Sequence, residues 1–193
     1  MGKLQKFNVP GQAHFVTTKT FWNTPIFKDD QCCEILLNDI NFYRNKLGFK
    51  LLGCVIMPDH LHMIVWWDAD EQKGLTISKI MHDIKGLSAQ NLSRYLLGSR
   101  GVSASTVCQD MSARRGPKAP ATHFKRRVIK IWHSSFYDFN IHSPGKLFHK
   151  LNYIHQNPVR AGLVSRAVDY IYSSARNYYL DDNSFIEIDY IGL

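Results

Sequence analysis

Residues 51–67 read LLGCVIMPDHLHMIVWW, and the reading of this stretch decides the fold class. Two short apolar runs, Leu51 to Met57 and His60 to Trp67, flank Pro58-Asp59, a pair favoured in tight turns, so the segment predicts a buried β-hairpin. Side chains alternate between faces along a strand, which puts His60 and His62 on one face of the second strand and Leu61 on the other. Two imidazoles side by side can grip one metal ion. The competing reading is a pair of hydrogen-bonded histidines in a chain that holds nine.

Upstream, His14 to Thr20 is rich in aromatic and β-branched residues and stops near the turn-prone Asn23-Thr24-Pro25, as a strand would. Leu36, Ile40, Tyr43 and Leu47 then recur at helical steps between the capping candidates Asp29 and Asp30 and the stop at Gly48. Downstream, Ile77, Ile80, Met81, Ile84, Ser88, Asn91, Leu92 and Tyr95 predict a second helix over Thr76 to Leu97, capped at Gly98. Residues 99–125 show no period and read as a long loop. Val128 to Trp132 reads as another strand. Ser143-Pro144 then offers a cap and a first-turn proline for a helix buried through Leu147, Leu151 and Ile154. Asn157-Pro158 is expected to end or kink it, because proline disfavours helical geometry in the preceding residue. The order strand, helix, strand, strand, helix, strand matches an α+β, ferredoxin-like sandwich with an antiparallel sheet, followed by an added helix and a C-terminal tail.

The 193 residues, 45% hydrophobic, suffice for one core. They are expected to form one domain over 1–193, with a core of about 10–160, a loop insertion of about 98–125 and a C-terminal extension of about 165–193. Lys and Arg number 24 against 16 Asp and Glu, a net +8 that favours a polyanionic partner. The four cysteines show neither zinc-knuckle nor disulfide spacing, and no run is long and apolar enough for a bilayer. A reducing, cytoplasmic setting without membrane attachment is the expectation.

On the late helix, Tyr153 and Asn157 stand four residues apart and so share a face. A phenol can attack phosphorus, and a carboxamide oxygen is a hard neutral donor that can complete a two-histidine metal site. The plainer alternative is a half-buried tyrosine with a satisfied hydroxyl and an asparagine capping the helix end.

Together these stretches carry a resemblance. CVIMPDHLHMIVWW resembles the histidine–hydrophobic–histidine strand of the single-tyrosine HUH transposases, and KLNYIHQNPVRAGLV resembles their tyrosine helix. FVTTKT, ISKIMHDIKGLSAQNLSRYL, IWHSSFYDFNI and YIYSSARNYYL extend the likeness along most of the chain, nearest to the REP-associated tyrosine transposases. The resemblance implies a ferredoxin-like fold and a metal-dependent enzyme that cuts and rejoins single-stranded DNA, at hairpin or repeat sequences, through a 5′-phosphotyrosine. It implies His60, His62 and Asn157 as ligands of Mg²⁺ or Mn²⁺ and Tyr153 as nucleophile, with Gln156 or His149 as substitutes for Asn157 if the helix ends early. Two features depart from the family pattern: the stretch 98–125 is long, and His133 follows Trp132 where relatives more often carry Gln. Related enzymes act as dimers with the tyrosine supplied in trans, whereas a long tail after Tyr170 suits a monomer; both states stay open here.

Arg114, Arg115, Lys118, Lys125, Arg126, Arg127 and Lys130 fall in a stretch without acids, while Asp181, Asp182, Glu187 and Asp189 make the tail acidic. The basic run suits a phosphate-contacting arm, joined by Lys85, Arg94 and Arg160; a solvated loop is the alternative. Trp132 either stacks on an unpaired base or plugs the core, and the core is preferred. Against the enzyme stand two other classes: a DNA-binding protein of the same fold that has lost catalysis, and a metal-dependent hydrolase that uses water.

Overall fold

The computed structural model describes residues 11–98 and 129–191. Its sheet has four antiparallel strands, β1 (Ala13–Lys19), β2 (Lys50–Met57), β3 (His60–Trp66) and β4 (Tyr137–Ile141), in the order β2-β3-β1-β4. Helices α1 (Asp30–Leu47) and α2 (Ile77–Gly98) cover one face. Helix α3 (Pro144–Arg160) covers the other, and a short α4 (Ala175–Leu180) lies in the tail. This is the α+β sandwich expected from the element order.

Local chemistry sets the helix ends. The Asp29 carboxylate accepts the Gln31 backbone N–H at 3.0 Å to open α1, and Gly48 closes it at φ 72°, a left-handed conformation that costs a glycine little. Ser143 caps α3 through Lys146 N at 3.3 Å, with Pro144 in the first turn as anticipated.

Three expectations need correction or sharpening. The strand placed at Val128 to Trp132 is not one: among the described residues of that stretch only a single bridge forms, Thr20 with Trp132, and the fourth strand starts later, at Tyr137. Trp132 is held by the core instead, donating Nε1–H to Ser88 Oγ at 2.9 Å and lying against Phe27, which makes it a plug and not a stacking surface. Helix α3 does not stop at Asn157 but runs to Arg160. Pro158 removes one backbone donor just before the helix ends, where the loss is small. The expected loop over 99–125 lies outside the described residues, as do Arg114, Arg115, Lys118, Lys125, Arg126 and Arg127.

The tail clamps this arrangement. Ile56 N–H donates to Tyr172 O at 2.9 Å, Ser174 N–H to Cys54 O at 2.8 Å, and Asp189 N–H to Leu51 O at 2.8 Å, so the outer edge of β2 is paired along its length. Tyr170 and Tyr178 donate their hydroxyls to Ile56 O and Leu52 O, both at 2.7 Å. A covered edge offers no template for stray strand pairing. Ser174 Oγ also accepts Cys54 N–H at 3.0 Å and stands 3.0 Å from His155 Nε2, which ties the tail to α3.

Candidate active site

Alternation along the strands sorts the residues. His60, His62 and Ile64 of β3, and Ala13, Phe15 and Thr17 of β1, face α3, while Leu61, Met63, Val65 and Val16 face α1 and α2. Helix α3 approaches closely because position 53 has no side chain. A Cβ there would lie 2.8 Å from Leu151 Cδ2 and 2.9 Å from Ile154 Cδ1. Seated at Gly53 by these two residues, α3 turns Tyr153 toward the histidines.

The Tyr153 ring lies 5.5 Å from that of His62 and 5.9 Å from that of Phe15, edge-on in both cases. The His60 and His62 rings are 4.8 Å apart. Thus His60, His62 and Tyr153, singled out in two distant stretches of sequence, come together within one chain. Asn157 sits one turn beyond Tyr153, and its Nδ2 is buried without a hydrogen-bond partner among the described residues. Gln156 is half-buried, and His149 is exposed, four residues before Tyr153.

Each histidine is oriented by a neighbour that the sequence alone did not mark. Thr17, directly opposite His62 in the sheet, places Oγ1 2.6 Å from His62 Nδ1. Asp59 places Oδ1 2.6 Å from His60 Nδ1. With Nδ1 engaged on both rings, Nε2 is the atom left to present a lone pair, the pattern by which outer residues fix the tautomer of ligating histidines. His62 Nε2 is buried and has no partner among the described residues. Burial, and then the positive charges of His60, Lys150 and Lys19, push the His62 pKa down to about 3, so the ring is neutral near pH 7. An oriented pair of imidazoles, with a buried nitrogen on His62 that has no partner among the described residues, fits a divalent cation. Among the described residues no group of three His, Cys, Asp or Glu surrounds such a site.

Cations line the phenol. Lys150 Nζ stands 4.6 Å from the Phe15 ring centre, 4.7 Å from that of Phe139 and 5.8 Å from that of Tyr153. Burial, followed by repulsion from Lys146, lowers its pKa. Arg160, expected among the DNA contacts, has Cζ 5.5 Å from the Tyr153 ring centre. Other expected contacts lie elsewhere. Lys85 donates to His133 O at 2.8 Å and Ser135 O at 3.2 Å, holding the approach to β4; Arg94 donates to Asn91 Oδ1 at 3.0 Å on α2, across the sheet from α3. Lys130 lies over the Phe21 ring at 4.3 Å. Lys150, Thr17 and Asp59 lie inside the stretches KLNYIHQNPVRAGLV, FVTTKT and CVIMPDHLHMIVWW, but their local spacing gave them no role at the site. Register across the sheet would have found Thr17, and the turn of α3 before Tyr153 would have found Lys150.

Residues 11–101 match the family described as Transposase IS200 like, in agreement with the resemblance read from the motifs. Among solved structures, a REP-associated tyrosine transposase bound to a REP hairpin is similar at 18% identity and a TM-score of 0.66, over 100% of this chain and 92% of that one. A protein described as a transposase candidate from Deinococcus radiodurans is similar at 13% identity and a TM-score of 0.47, over 80% of this chain and 97% of that one. At these identities the first likeness is one of fold. Comparison with curated proteins finds no match.

Proposed function

We propose that the protein is a single-tyrosine DNA transposase that cuts and rejoins single-stranded DNA. Tyr153 is the nucleophile, and His60, His62 and Asn157 hold Mg²⁺ or Mn²⁺. The observation that carries this reading is the approach of the Tyr153 ring to within 5.5 Å of the His62 ring in the same chain. A cation held there supplies positive charge that polarises the scissile phosphate. The chain's own residues do the rest. Thr17 and Asp59 keep both imidazoles in the ligating tautomer. Gly53 and the Ser174–His155 contact hold α3 in place, so that the phenol is already positioned before substrate arrives.

In the reaction, the Tyr153 oxygen forms a bond to phosphorus as the bond from phosphorus to the 3′ oxygen breaks. The phenolic proton is released, and the departing oxygen takes one up to become a 3′-hydroxyl. A phenol ionises near pH 10 in ordinary surroundings (about 10 in peptides), so stabilising charge must be at hand; Lys150 and Arg160 supply it beside the ring. The phosphodiester energy is kept in the 5′-phosphotyrosine, which lets a later hydroxyl reverse the step and join strands. Because the histidines and the tyrosine belong to one chain, a monomer is the active unit. The relative bound to a REP hairpin supports a hairpin substrate, with the basic run Arg114, Arg115, Lys125, Arg126, Arg127 and Lys130 contacting its phosphates.

Incubation of the purified protein with a single-stranded hairpin oligonucleotide and Mn²⁺ is expected to yield a protein–DNA adduct on a denaturing gel. Tyr153→Phe should lose the adduct and keep DNA binding. An adduct that survives in Tyr153→Phe, or cleavage with no protein-linked product, overturns the assignment. Binding with neither adduct nor cleavage would identify a DNA-binding protein that has lost its chemistry.

A further inference from the structure

We infer that a second site, walled by the turn after β1, takes one unpaired nucleobase next to the histidine pair. This inference rests on the reading that the chain acts on single-stranded DNA. A cavity of about 570 Å³ opens beside Thr17 and Lys19 and is walled by Phe21, Trp22, Phe136 and Tyr137. Its location is set by the sheet. Thr17 hydrogen-bonds His62, and Lys19 pairs with His60 in the β1–β3 register, so an occupant lies beside the phosphate-binding centre.

The aromatic wall is displayed by unusual backbone geometry. Trp22 and Asn23 both adopt left-handed conformations, at φ 59° and 51°, which non-glycine residues rarely do. The turn is held by Thr20, whose Oγ1 lies 2.8 Å from Thr24 O and 2.9 Å from Asp59 O. Asp59 is also the residue that orients His60. The result is a tryptophan 66% exposed to solvent, edge-on to Phe21 at 5.4 Å, on a segment tied to the histidine pair. A large aromatic side chain left in water by a strained turn points to a ligand that covers it.

The lining chooses the ligand. Among the described residues it includes Lys19, His133, Asn23 and Ser135 and no acidic residue, while Lys130 lies over the outer aromatic ring, Phe21. Flat aromatic faces, a cationic rim, and amide and hydroxyl groups suit a base with its phosphate, since every base has a face to stack. Trp132 is excluded from this role by its burial, so Trp22 is the tryptophan that stacks.

The test reads binding, so it does not depend on catalysis. A stem-loop oligonucleotide with single-stranded flanks is bound to the Tyr153→Phe protein, and affinity is followed by fluorescence anisotropy. The flank bases are replaced one at a time by abasic residues. One abasic position should weaken binding by about five-fold to a hundred-fold, and Trp22→Leu should weaken binding to the intact oligonucleotide by a similar factor. Together the two changes should cost no more than either alone, and Trp22→Phe should restore most of the affinity. Unchanged affinity in Trp22→Leu, penalties that multiply, or no sensitive position in the flanks would overturn the inference. So would a Trp22→Leu protein whose only change is a loss of self-association, which would assign the surface to a second copy. Absence of a covalent adduct in the unsubstituted protein would sink the catalytic reading and leave this one standing.

Discussion

Where α1 and α2 cover the sheet, the contact is made by Leu36, Ile40, Met63, Ile80 and Ile84, all fully shielded from water. Where α3 covers the same sheet, Leu151 and Ile154 pack at Gly53, but the face also carries His60, His62, Thr17, Lys150 and Tyr153. The first face spends its area on burial, at roughly 25 cal/mol per Å² of apolar surface. The second gives part of that up to hold polar groups with unpartnered atoms, an arrangement that local packing rules do not favour and that marks chemistry. One sheet thus has a side that keeps the protein folded and a side on which the proposed chemistry would take place.

Substitutions on the two faces should separate these roles. Tyr153→Phe should abolish the covalent adduct while moving the melting temperature little, because the half-buried phenol makes no hydrogen bond among the described residues. Ile40→Ala, on the dry face, should do the reverse: a loss of about 2–5 kcal/mol in denaturant unfolding, with adduct formation per folded molecule unchanged. Equal effects of both variants on both readouts would erase the contrast.

Acid should attack the α3 face first. His155 is buried against Ser174, and burial lowers its pKa to about 4. As pH falls through about 6.5 the unfolded chain takes up a proton that the folded one refuses, so stability drops until the folded ring titrates near 4. The loss over that window is on the order of 3 kcal/mol. Unfolding curves of His155→Phe across the window should show a shallower slope; an identical slope would place the acid sensitivity elsewhere.

Two smaller effects sharpen the account of how α3 and the histidines are set. Asp59→Asn should reduce Mn²⁺ affinity by about 10–100-fold in calorimetry, as loss of an orienting partner does, with the fold intact. Gly53→Ala should cost about 1 kcal/mol, since its methyl must displace the Leu151 and Ile154 side chain ends, and adduct formation should slow by more than this stability loss explains. A variant of wild-type rate would show that α3 need not sit so close.

Much of the dry face was legible in the sequence because helical periodicity and caps are local signals: Leu36 and Ile40 with Asp29 and Gly48, and Ile77 to Leu92 on α2. The hairpin was legible too, with Pro58-Asp59 at its turn. Strand β4 was not, since YDFNI at 137–141 pairs on one side alone and only Ile141 is buried, whereas IKIW at 129–132 carries the stronger apolar signal and serves the core without forming a strand. On the other face, the residue types His60, His62 and Tyr153 could be read from their motifs, but their meeting could not. That meeting depends on the β1–β3 register and on one missing side chain at position 53. Lys150, Thr17 and Trp22 were invisible for the same reason, each acquiring its role from elements far away in the chain.

The central claim is that the imidazole pair and the phenol serve a common cation. Crystals grown with Mn²⁺ and measured near the manganese absorption edge test it most directly. One anomalous peak is predicted within coordination distance of both Nε2 atoms of His60 and His62, on the side of the Tyr153 hydroxyl. A peak elsewhere, or none at saturating Mn²⁺ in well-ordered crystals, would contradict it.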